Sequence, residues 1–323
     1  MSRSSIASYK AGTTVGTKGS YVLRGTLPGH QGGVKCLKAT EDGKILASGG
    51  SEGVHLWDLT TLTSLARPTG AGIRGSTSTL LWIRREDQPG EILAYGTQAG
   101  MVVCWRQAKT TMVFEEVTVF QMTHPAEVTG LAFDAGSNRL AVCHRQSVIQ
   151  LYEMDDDMNA NPIFSVTVPE YGPTAIAFRE TRGRGVPEIV VCGWHDGRIF
   201  TLEADTGKII ATSQVGSTIG GVEFNRKKGV FCLDDVFQGT ALYKTDTNAR
   251  VRTFAVPRTK LAALPRQVAF ADDGSSIVSG SDHGLLYVFD RRNGDVTDML
   301  CVDPKDWVQT VTVRPQFCLL IAS

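Results

Sequence analysis

The chain has no excess of charge, no long hydrophobic run and no cysteine pattern of the kind that defines a disulfide framework. Its 323 residues contain 33 lysines and arginines and 33 aspartates and glutamates, so the formal net charge is zero at pH 7. That balance offers no field to attract nucleic acid or an anionic membrane. No run of about 18 apolar residues is present, so we expect no transmembrane helix. Residues 1–20 also lack the apolar core of a signal peptide.

The sequence also shows no pattern that indicates a metal-binding or cofactor-binding site. The seven cysteines and six histidines show no metal-ligand spacing. Most cysteines fall inside apolar strand patterns, where a reduced thiol behaves as a small hydrophobic group. Glycine pairs such as Gly220-Gly221 precede no helical pattern, which argues against a phosphate-binding loop. We therefore predict no metal, no cofactor and an intracellular location, in the cytoplasm or the nucleus.

The sequence does contain an aromatic or large apolar residue that recurs at a nearly regular spacing. Short alternating apolar runs each end in an aromatic or large apolar residue, with successive spacings of 48, 48, 47, 50, 41 and 46 residues. These residues are Tyr9, Trp57, Trp105, Tyr152, Leu202, Tyr243 and Phe289. A period of about 40 to 50 residues that holds several strands is typical of radially stacked β-blades.

The clearest repeat unit spans residues 34–67. Two turn segments, Glu41–Gly43 and Ser51–Gly53, divide most of it into short apolar strands. Acidic residues, serine and glycine at such positions favour tight turns between antiparallel strands. The unit therefore predicts a meander of four short antiparallel strands.

Two dipeptides at this unit resemble the marks of the WD40 repeat. Gly29-His30 lies ahead of the first strand, and Trp57-Asp58 ends the third. The segment Ser279–Asp290 is similar to the second and third strands of the same repeat. The resemblance covers nearly the whole chain and implies an all-β fold, a seven-bladed β-propeller of four-stranded antiparallel blades. It also implies a single domain over residues 1–323.

The last of these blades is predicted to be shared between the two ends of the chain. Val308–Val313 and Phe317–Ala322 read as its first two strands, and Ile6–Lys10 and Tyr21–Leu27 read as the other two. Strands within residues 5–28 and 306–323 would then complete one blade and leave no open sheet edge. The alternative interpretation is a truncated C-terminal blade with a disordered N-terminal tail.

Four residues of the first unit resemble the buried hydrogen-bond chain that braces WD40 blades, namely His30, Ser48, Glu52 and Trp57. A buried imidazole or indole needs such partners because an unpaired polar group loses its solvation on burial. The competing interpretation is a catalytic Ser–His–acid triad, and the structural brace is favoured. No other catalytic arrangement is evident, so the chain is not expected to be an enzyme.

The resemblance implies a scaffold that binds a protein or peptide with the top rim and central channel of the propeller, and a monomer outside complexes. Aromatic and charged residues in the rim loops are candidate anchors, since Trp and Arg dominate interface hot spots. The candidates by alignment are His144, Arg145, Trp194, His195, Phe237, Lys305, Asp306 and Trp307. The competing interpretation is that one or two of these fold back against the blades.

Two other functions stay open. A substrate receptor of a cullin-type ubiquitin ligase docks its adaptor through a 16-residue box, and Ile277–Arg292 has that length with Asp290 and Arg292 near its end. Phe289 and His283 depart from the residues expected in that box. A carbohydrate-binding propeller is the second alternative, but the rim loops differ from blade to blade, which favours one asymmetric partner surface.

Overall fold

The computed structural model describes residues 5–11, 21–68, 71–72, 74–85, 88, 90–108, 111–169, 172–179, 187–216, 218–259, 264–302, 307–314 and 318–322. Within these residues the regular structure consists of 28 β-strands and two short 3-10 helices, Arg226–Lys228 and Asp272–Gly274. The strands form four-stranded antiparallel sheets. The fold is therefore all-β, as predicted.

We use the word blade for a four-stranded sheet that is made from one continuous segment of the chain. Blade one contains β3 (Val34–Ala39), β4 (Ile45–Gly50), β5 (Gly53–Asp58) and β6 (Thr63–Leu65). Blade two contains β7 (Thr77–Ile83), β8 (Ile92–Thr97), β9 (Met101–Gln107) and β10 (Phe114–Gln121). Blade three contains β11 (Val128–Asp134), β12 (Arg139–His144), β13 (Val148–Met154) and β14 (Ala160–Thr167).

The remaining blades follow the same meander. Blade four contains β15 (Pro173–Arg179), β16 (Glu188–Gly193), β17 (Arg198–Glu203) and β18 (Ile209–Gln214). Blade five contains β19 (Ile219–Asn225), β20 (Val230–Asp235), β21 (Gly239–Lys244) and β22 (Arg250–Phe254). Blade six contains β23 (Val268–Ala271), β24 (Ser276–Ser279), β25 (Leu285–Asp290) and β26 (Val296–Cys301).

The two ends of the chain form a further sheet, which we call the terminal sheet. Its strands are β1 (Ser5–Ala11), β2 (Tyr21–Pro28), β27 (Thr310–Arg314) and β28 (Cys318–Ala322), in the order β2-β1-β28-β27. Ile6 pairs with Leu27 on one side of β1 and with Ala322 on the other. The prediction that strands from both ends of the chain pair in one four-stranded sheet is therefore confirmed. The structure has six blades made from continuous segments, rather than the seven predicted. The terminal sheet, in which hydrogen bonds join β1 to β28, is the seventh four-stranded sheet among the described residues.

Two compact units can be distinguished in the chain. The first contains Met1–Leu46, Trp57–Ser64 and Ser217–Ser323, and the second contains Ala47–Leu56 and Leu65–Gly216. Blades two, three and four belong to the second unit, and blades five and six and the terminal sheet belong to the first. The strands of blade one are divided between the units. A single domain over the whole chain remains a prediction.

The inner strands of the blades are buried on both faces. Every residue of β4, β8 and β20 is buried, whereas the outer strands β18 and β22 are largely accessible to solvent. Stacking sheets face to face removes both sides of an inner strand from water, so its sequence becomes nearly continuous in apolar residues. Surface chemistry is therefore concentrated in the turns and the outer strands.

Glycine lies at several points where one sheet meets the next. A Cβ atom built on any of four glycines would lie 3.1 Å or less from an atom of the following sheet or of the segment leading into it. These contacts join Gly96 to Val128, Gly130 to Ile176, Gly221 to Gln267 and Gly280 to Val308. Real Cβ atoms essentially never come closer than 3.0 Å, so a side chain at the tightest of these positions would push neighbouring sheets apart.

A buried arginine also joins blades two and three. Arg85 donates from Nη1 to the carbonyl oxygen of Asp155 at 2.8 Å, and its Nη2 lies 2.8 Å from Oδ1 of Asp156. Arg106 donates to the carbonyl oxygen of Asp156 at 2.7 Å. The arginines thus hold the acidic turn between β13 and β14 against blade two.

Removing residues 1–28 tests the role of the terminal sheet. The deletion takes away β1 and β2, leaves β28 with an unpaired edge, and removes Ile6 and Leu27 from a cluster that includes Val34 and Leu46. Exposed strand edges and apolar surface promote aggregation, so we expect an insoluble or aggregating product. Size-exclusion chromatography and thermal melting measure this outcome.

Deletion of residues 1–4 alone is the control and should leave the protein soluble. A soluble protein that lacks residues 1–28 and still melts cooperatively would show that the other sheets are stable without β1 and β2.

Candidate partner-binding surface

A tight turn in blade five presents an aromatic side chain to solvent. Phe237 lies between β20 and β21, and 58% of its surface is exposed. The carboxylate of Asp235 accepts hydrogen bonds from the backbone N–H groups of Phe237 and Gln238, at 3.0 and 3.1 Å. Val236, between them, is buried. This Asx turn fixes the backbone and directs the aromatic residue away from the core.

Two arginines accompany this turn. The guanidinium carbon of Arg258 lies 5.4 Å from the centre of the Phe237 ring, within the range of a cation–π contact. Arg250, on β22, donates from Nη1 to Oε1 of Gln238 at 3.1 Å and from Nε to the Tyr243 hydroxyl at 3.1 Å. We call Phe237, Gln238, Arg250 and Arg258 the Phe237 patch. All four residues are exposed.

A buried ion pair supports the segment that carries Arg258. Arg266 donates from Nη2 and Nε to Oδ1 of Asp234, at 2.6 and 3.0 Å, and its backbone N–H donates to Oδ2 at 2.8 Å. Both side chains are almost completely buried. Burial raises the pKa of Asp234 above its ordinary value, and the guanidinium of Arg266 opposes that rise. Gly220 leaves the space that the carboxylate occupies, since a Cβ there would overlap Asp234.

The same connection between blades five and six is also attached to blade six. Thr259 donates from its backbone N–H and its hydroxyl to the carboxylate of Asp282, at 3.1 and 3.2 Å. Nδ1 of His283 lies 2.8 Å from Oδ1 of Asp282, and its Nε2 lies 2.9 Å from the Tyr287 hydroxyl. Asp282 and Tyr287 are buried. This hydrogen-bonded chain anchors the residue next to Arg258.

The four predicted residues of blades three and four have different environments. Trp194 is half-buried and its ring meets His195 edge-on, with ring centres 6.2 Å apart. The backbone N–H of Trp194 donates to the carbonyl oxygen of Gly172 at 3.1 Å. A Cβ atom at Gly172 would lie 3.2 Å from the carbonyl oxygen of Arg145. Arg145 is exposed and pairs with Glu127 at 2.5 Å.

His144 was expected at the surface and is instead completely buried. Its Nδ1 accepts a hydrogen bond from the backbone N–H of Gln146 at 3.1 Å, which places the proton of the neutral ring on Nε2. Burial, followed by the nearby charge of His124, lowers the pKa of His144. The side chain therefore belongs to the interior of blade three and offers nothing to a partner.

Trp307 is half-buried just ahead of β27. Its neighbour Val308 donates a backbone hydrogen bond to the carbonyl oxygen of Ser281 at 2.9 Å, so this segment lies on the turn between β24 and β25. The other two candidates, Lys305 and Asp306, lie outside the described residues. Phe237 is thus the predicted aromatic candidate with the greatest exposure.

The four residues predicted to brace blade one are placed as follows. His30, Ser48 and Trp57 are buried, and Glu52 is half-buried. Ser48 donates to the carbonyl oxygen of His55 at 3.5 Å, and Oε2 of Glu52 lies 3.7 Å from Nε2 of His55. The complete hydrogen-bond chain stays a prediction.

The glycine of the Gly29-His30 pair has a clear steric role. A Cβ atom at Gly29 would lie 2.7 Å from Cη2 of Trp57, in the space that the indole occupies. The two dipeptides that carry the resemblance, Gly29-His30 and Trp57-Asp58, are therefore in direct contact through their first residues. Neither can change size without disturbing the other.

Asp290 stabilises the turn that follows β25. The sequence assigns this residue to an adaptor-docking box. Its Oδ1 accepts hydrogen bonds from the backbone N–H groups of Arg292 and Asn293, at 2.8 and 3.1 Å. Asp58 makes the same kind of contact with Thr60 in blade one, at 2.7 Å. Arg292 itself is exposed. The aspartate at this repeated position thus has a local structural role, which accounts for its presence.

Sequence reasoning missed both arginines of the Phe237 patch. Arg258 lies in the connection from Phe254 to Val268, which is the longest between successive blades. An unusually long connection is a signal of a functional loop and could have drawn attention to this residue. Arg250 lies in an exposed outer strand, where an arginine has no distinguishing sequence context.

The sheets and their connectivity define the chain as a protein of the β-propeller class. The family model of the WD domain, G-beta repeat, matches residues 21–58. That match begins with β2 of the terminal sheet and ends with β5 of blade one. Together with the propeller arrangement, this match over one repeat supports a WD40-repeat β-propeller.

Two negative findings accompany this assignment. No curated protein matches the sequence. Among the residues that the structure describes, no helix has both the length and the hydrophobicity required to cross a membrane.

The Asp234–Arg266 pair generates a stability prediction. In Asp234→Ala the guanidinium of Arg266 stays buried without its carboxylate, so we expect a loss of roughly 3–5 kcal/mol in the free energy of unfolding. Denaturant titration measures the loss. Asp205→Ala is the control, because Asp205 pairs with Arg139 at 2.6 Å but is about half exposed, and it should cost about 1 kcal/mol or less.

A second variant separates charge burial from packing. Replacing both partners by apolar residues, Asp234→Leu with Arg266→Met, should recover part of the lost stability. Equal losses for Asp234→Ala and Asp205→Ala would contradict the role assigned to the buried pair.

Proposed function

We propose that the chain is a non-enzymatic scaffold that binds a protein or peptide partner through the Phe237 patch. The observation that carries this proposal is the exposed Phe237 ring, held on a hydrogen-bonded turn and covered on one side by Arg258. Aromatic residues and arginines are the residue types most enriched at interface hot spots. Proteins of the WD40 family generally act as protein-interaction scaffolds.

The rigidity of the turn supports the proposal on energetic grounds. Association costs free energy whenever side chains and loops must be ordered at the interface. The carboxylate of Asp235 already orders the backbone of Phe237, and Gln238 and Arg250 already hold each other. A partner would therefore meet a preformed surface, and less of its interaction free energy would be lost in ordering it.

We also infer an intracellular location, in the cytoplasm or the nucleus, from the state of the cysteines. Cys104, Cys143 and Cys192 form no disulfide and are completely buried. Burial raises the pKa of each of these thiols to about 12. They stay protonated and unreactive at neutral pH, which suits a core built in a reducing compartment.

Phe237→Ala tests the proposed function. Because the side chain is mostly exposed, the variant should change the free energy of unfolding by no more than roughly 0.5 kcal/mol, while partner binding should weaken by about 2 kcal/mol or more. Thermal melting measures the first quantity. Affinity capture from cell extract with quantitative mass spectrometry measures the second.

Met299→Ala is the matched control, since Met299 on β26 has the same exposed fraction as Phe237, 58%. The proposal expects at least one protein that wild type and Met299→Ala both retain and that Phe237→Ala loses. If all three chains retain the same set of proteins, the Phe237 patch is not the binding surface.

A further inference from the structure

Resting on the proposed function, we infer that the partner segment is acidic. The Phe237 patch takes a short peptide in which carboxylates flank an apolar side chain. The apolar group packs on the accessible part of the Phe237 ring, and the carboxylates bind Arg258 and Arg250. Three features of the patch lead to this chemistry, namely its unbalanced charge, the engagement of the nearby acids and the geometry of the guanidinium groups.

The first feature is the lack of a counter-charge at the patch. Within the described part of the chain, neither Arg250 nor Arg258 forms an ion pair with a carboxylate. Other arginines of the protein are neutralised locally. These pairs are Arg139 with Asp205, Arg145 with Glu127 and Arg198 with Asp196. The charge of Arg258 also acts on the buried carboxylate of Asp234, but the oxygens of that carboxylate are bonded to Arg266. Two exposed cations without an ion-pair partner of their own, beside an exposed aromatic ring, create a local positive potential in a chain with no net charge.

The second feature is that the nearby carboxylates have other partners. Both oxygens of Asp234 accept hydrogen bonds from Arg266. Asp282 accepts from Thr259 and contacts His283. An acidic ligand would therefore not have to compete with these groups for the arginines.

The third feature is the geometry of the two guanidinium groups. Arg258 lies against the ring of Phe237, and a stacked guanidinium keeps its N–H donors in its own plane, where a carboxylate can accept two of them. Arg250 uses Nε and Nη1 for Tyr243 and Gln238. Its Nη2 has no hydrogen-bond partner among the residues described. Each arginine thus offers donors without first breaking an existing contact.

A peptide-display selection tests the inference with the full chain. Random heptapeptides are selected on wild-type protein, and peptides that also bind Phe237→Ala are discarded. We expect the retained peptides to be enriched in Asp and Glu next to an apolar residue. The dissociation constant of one such peptide is then measured by fluorescence anisotropy at two salt concentrations, and binding should weaken at high salt.

Charge-removing variants then identify the groups involved. Arg258→Gln and Arg250→Gln should each weaken binding about tenfold, the factor that corresponds to one charged hydrogen bond. Lys227→Gln, which removes the same charge from the exposed 3-10 helix of blade five, should change it by less than about twofold. Peptides in which Asn and Gln replace Asp and Glu should lose as much affinity as the arginine variants do. This substitution changes the peptide and leaves the protein unaltered.

The possible results separate the inference from the proposed function. Retained peptides that are apolar but not acidic, or that bind both arginine variants as well as wild type, overturn the acidic class and leave a peptide-binding patch. Failure to obtain any peptide that depends on Phe237 overturns both. A single-stranded oligothymidine that binds the patch more tightly than the retained acidic peptides assigns it to nucleic acid and overturns the inference.

Discussion

The close approach of successive sheets is the constraint on which the rest of the structure depends. Gly96 and Gly280 lie where a side chain would strike the next sheet, and the inner strands lose contact with water on both faces. Polar groups that remain inside must then find partners there, as Asp234 does with Arg266. Among the described residues, exposed side chains are concentrated in the turns and outer strands, and the Phe237 patch is built from both.

The repeat was predictable because one residue recurs at the same place in each meander. Trp57, Trp105 and Tyr243 all lie near the end of a third strand and are buried, so spacing alone locates the blades. The association of the two ends was also predictable, because Ile6–Lys10 resembles a third strand and Tyr21–Leu27 a fourth, which the unit beginning at Val308 needs. Spacing does not give the register of that sheet, such as Ile6 opposite both Leu27 and Ala322, since the register depends on hydrogen bonds between distant segments.

The binding surface was predictable only where turn chemistry marks it. Phe237 could be placed in a turn because Asp235 and Gly239 flank it, but Arg258 reaches the ring from a connection that no repeat pattern aligns. His144 shows the opposite error. It ends β12, and its side chain is buried and hydrogen-bonded within the blade. A one-dimensional pattern assigns a residue to the end of a strand without showing which side the ring occupies.

The terminal sheet has a consequence for biosynthesis. During translation β1 and β2 are made close together and can pair with each other, yet the second edge of β1 has no partner until β28 is made about 300 residues later. Closing a loop of that length is slow because its entropy is lost before any contact is gained. That edge of β1 therefore stays open to strands of other chains until β28 has been made.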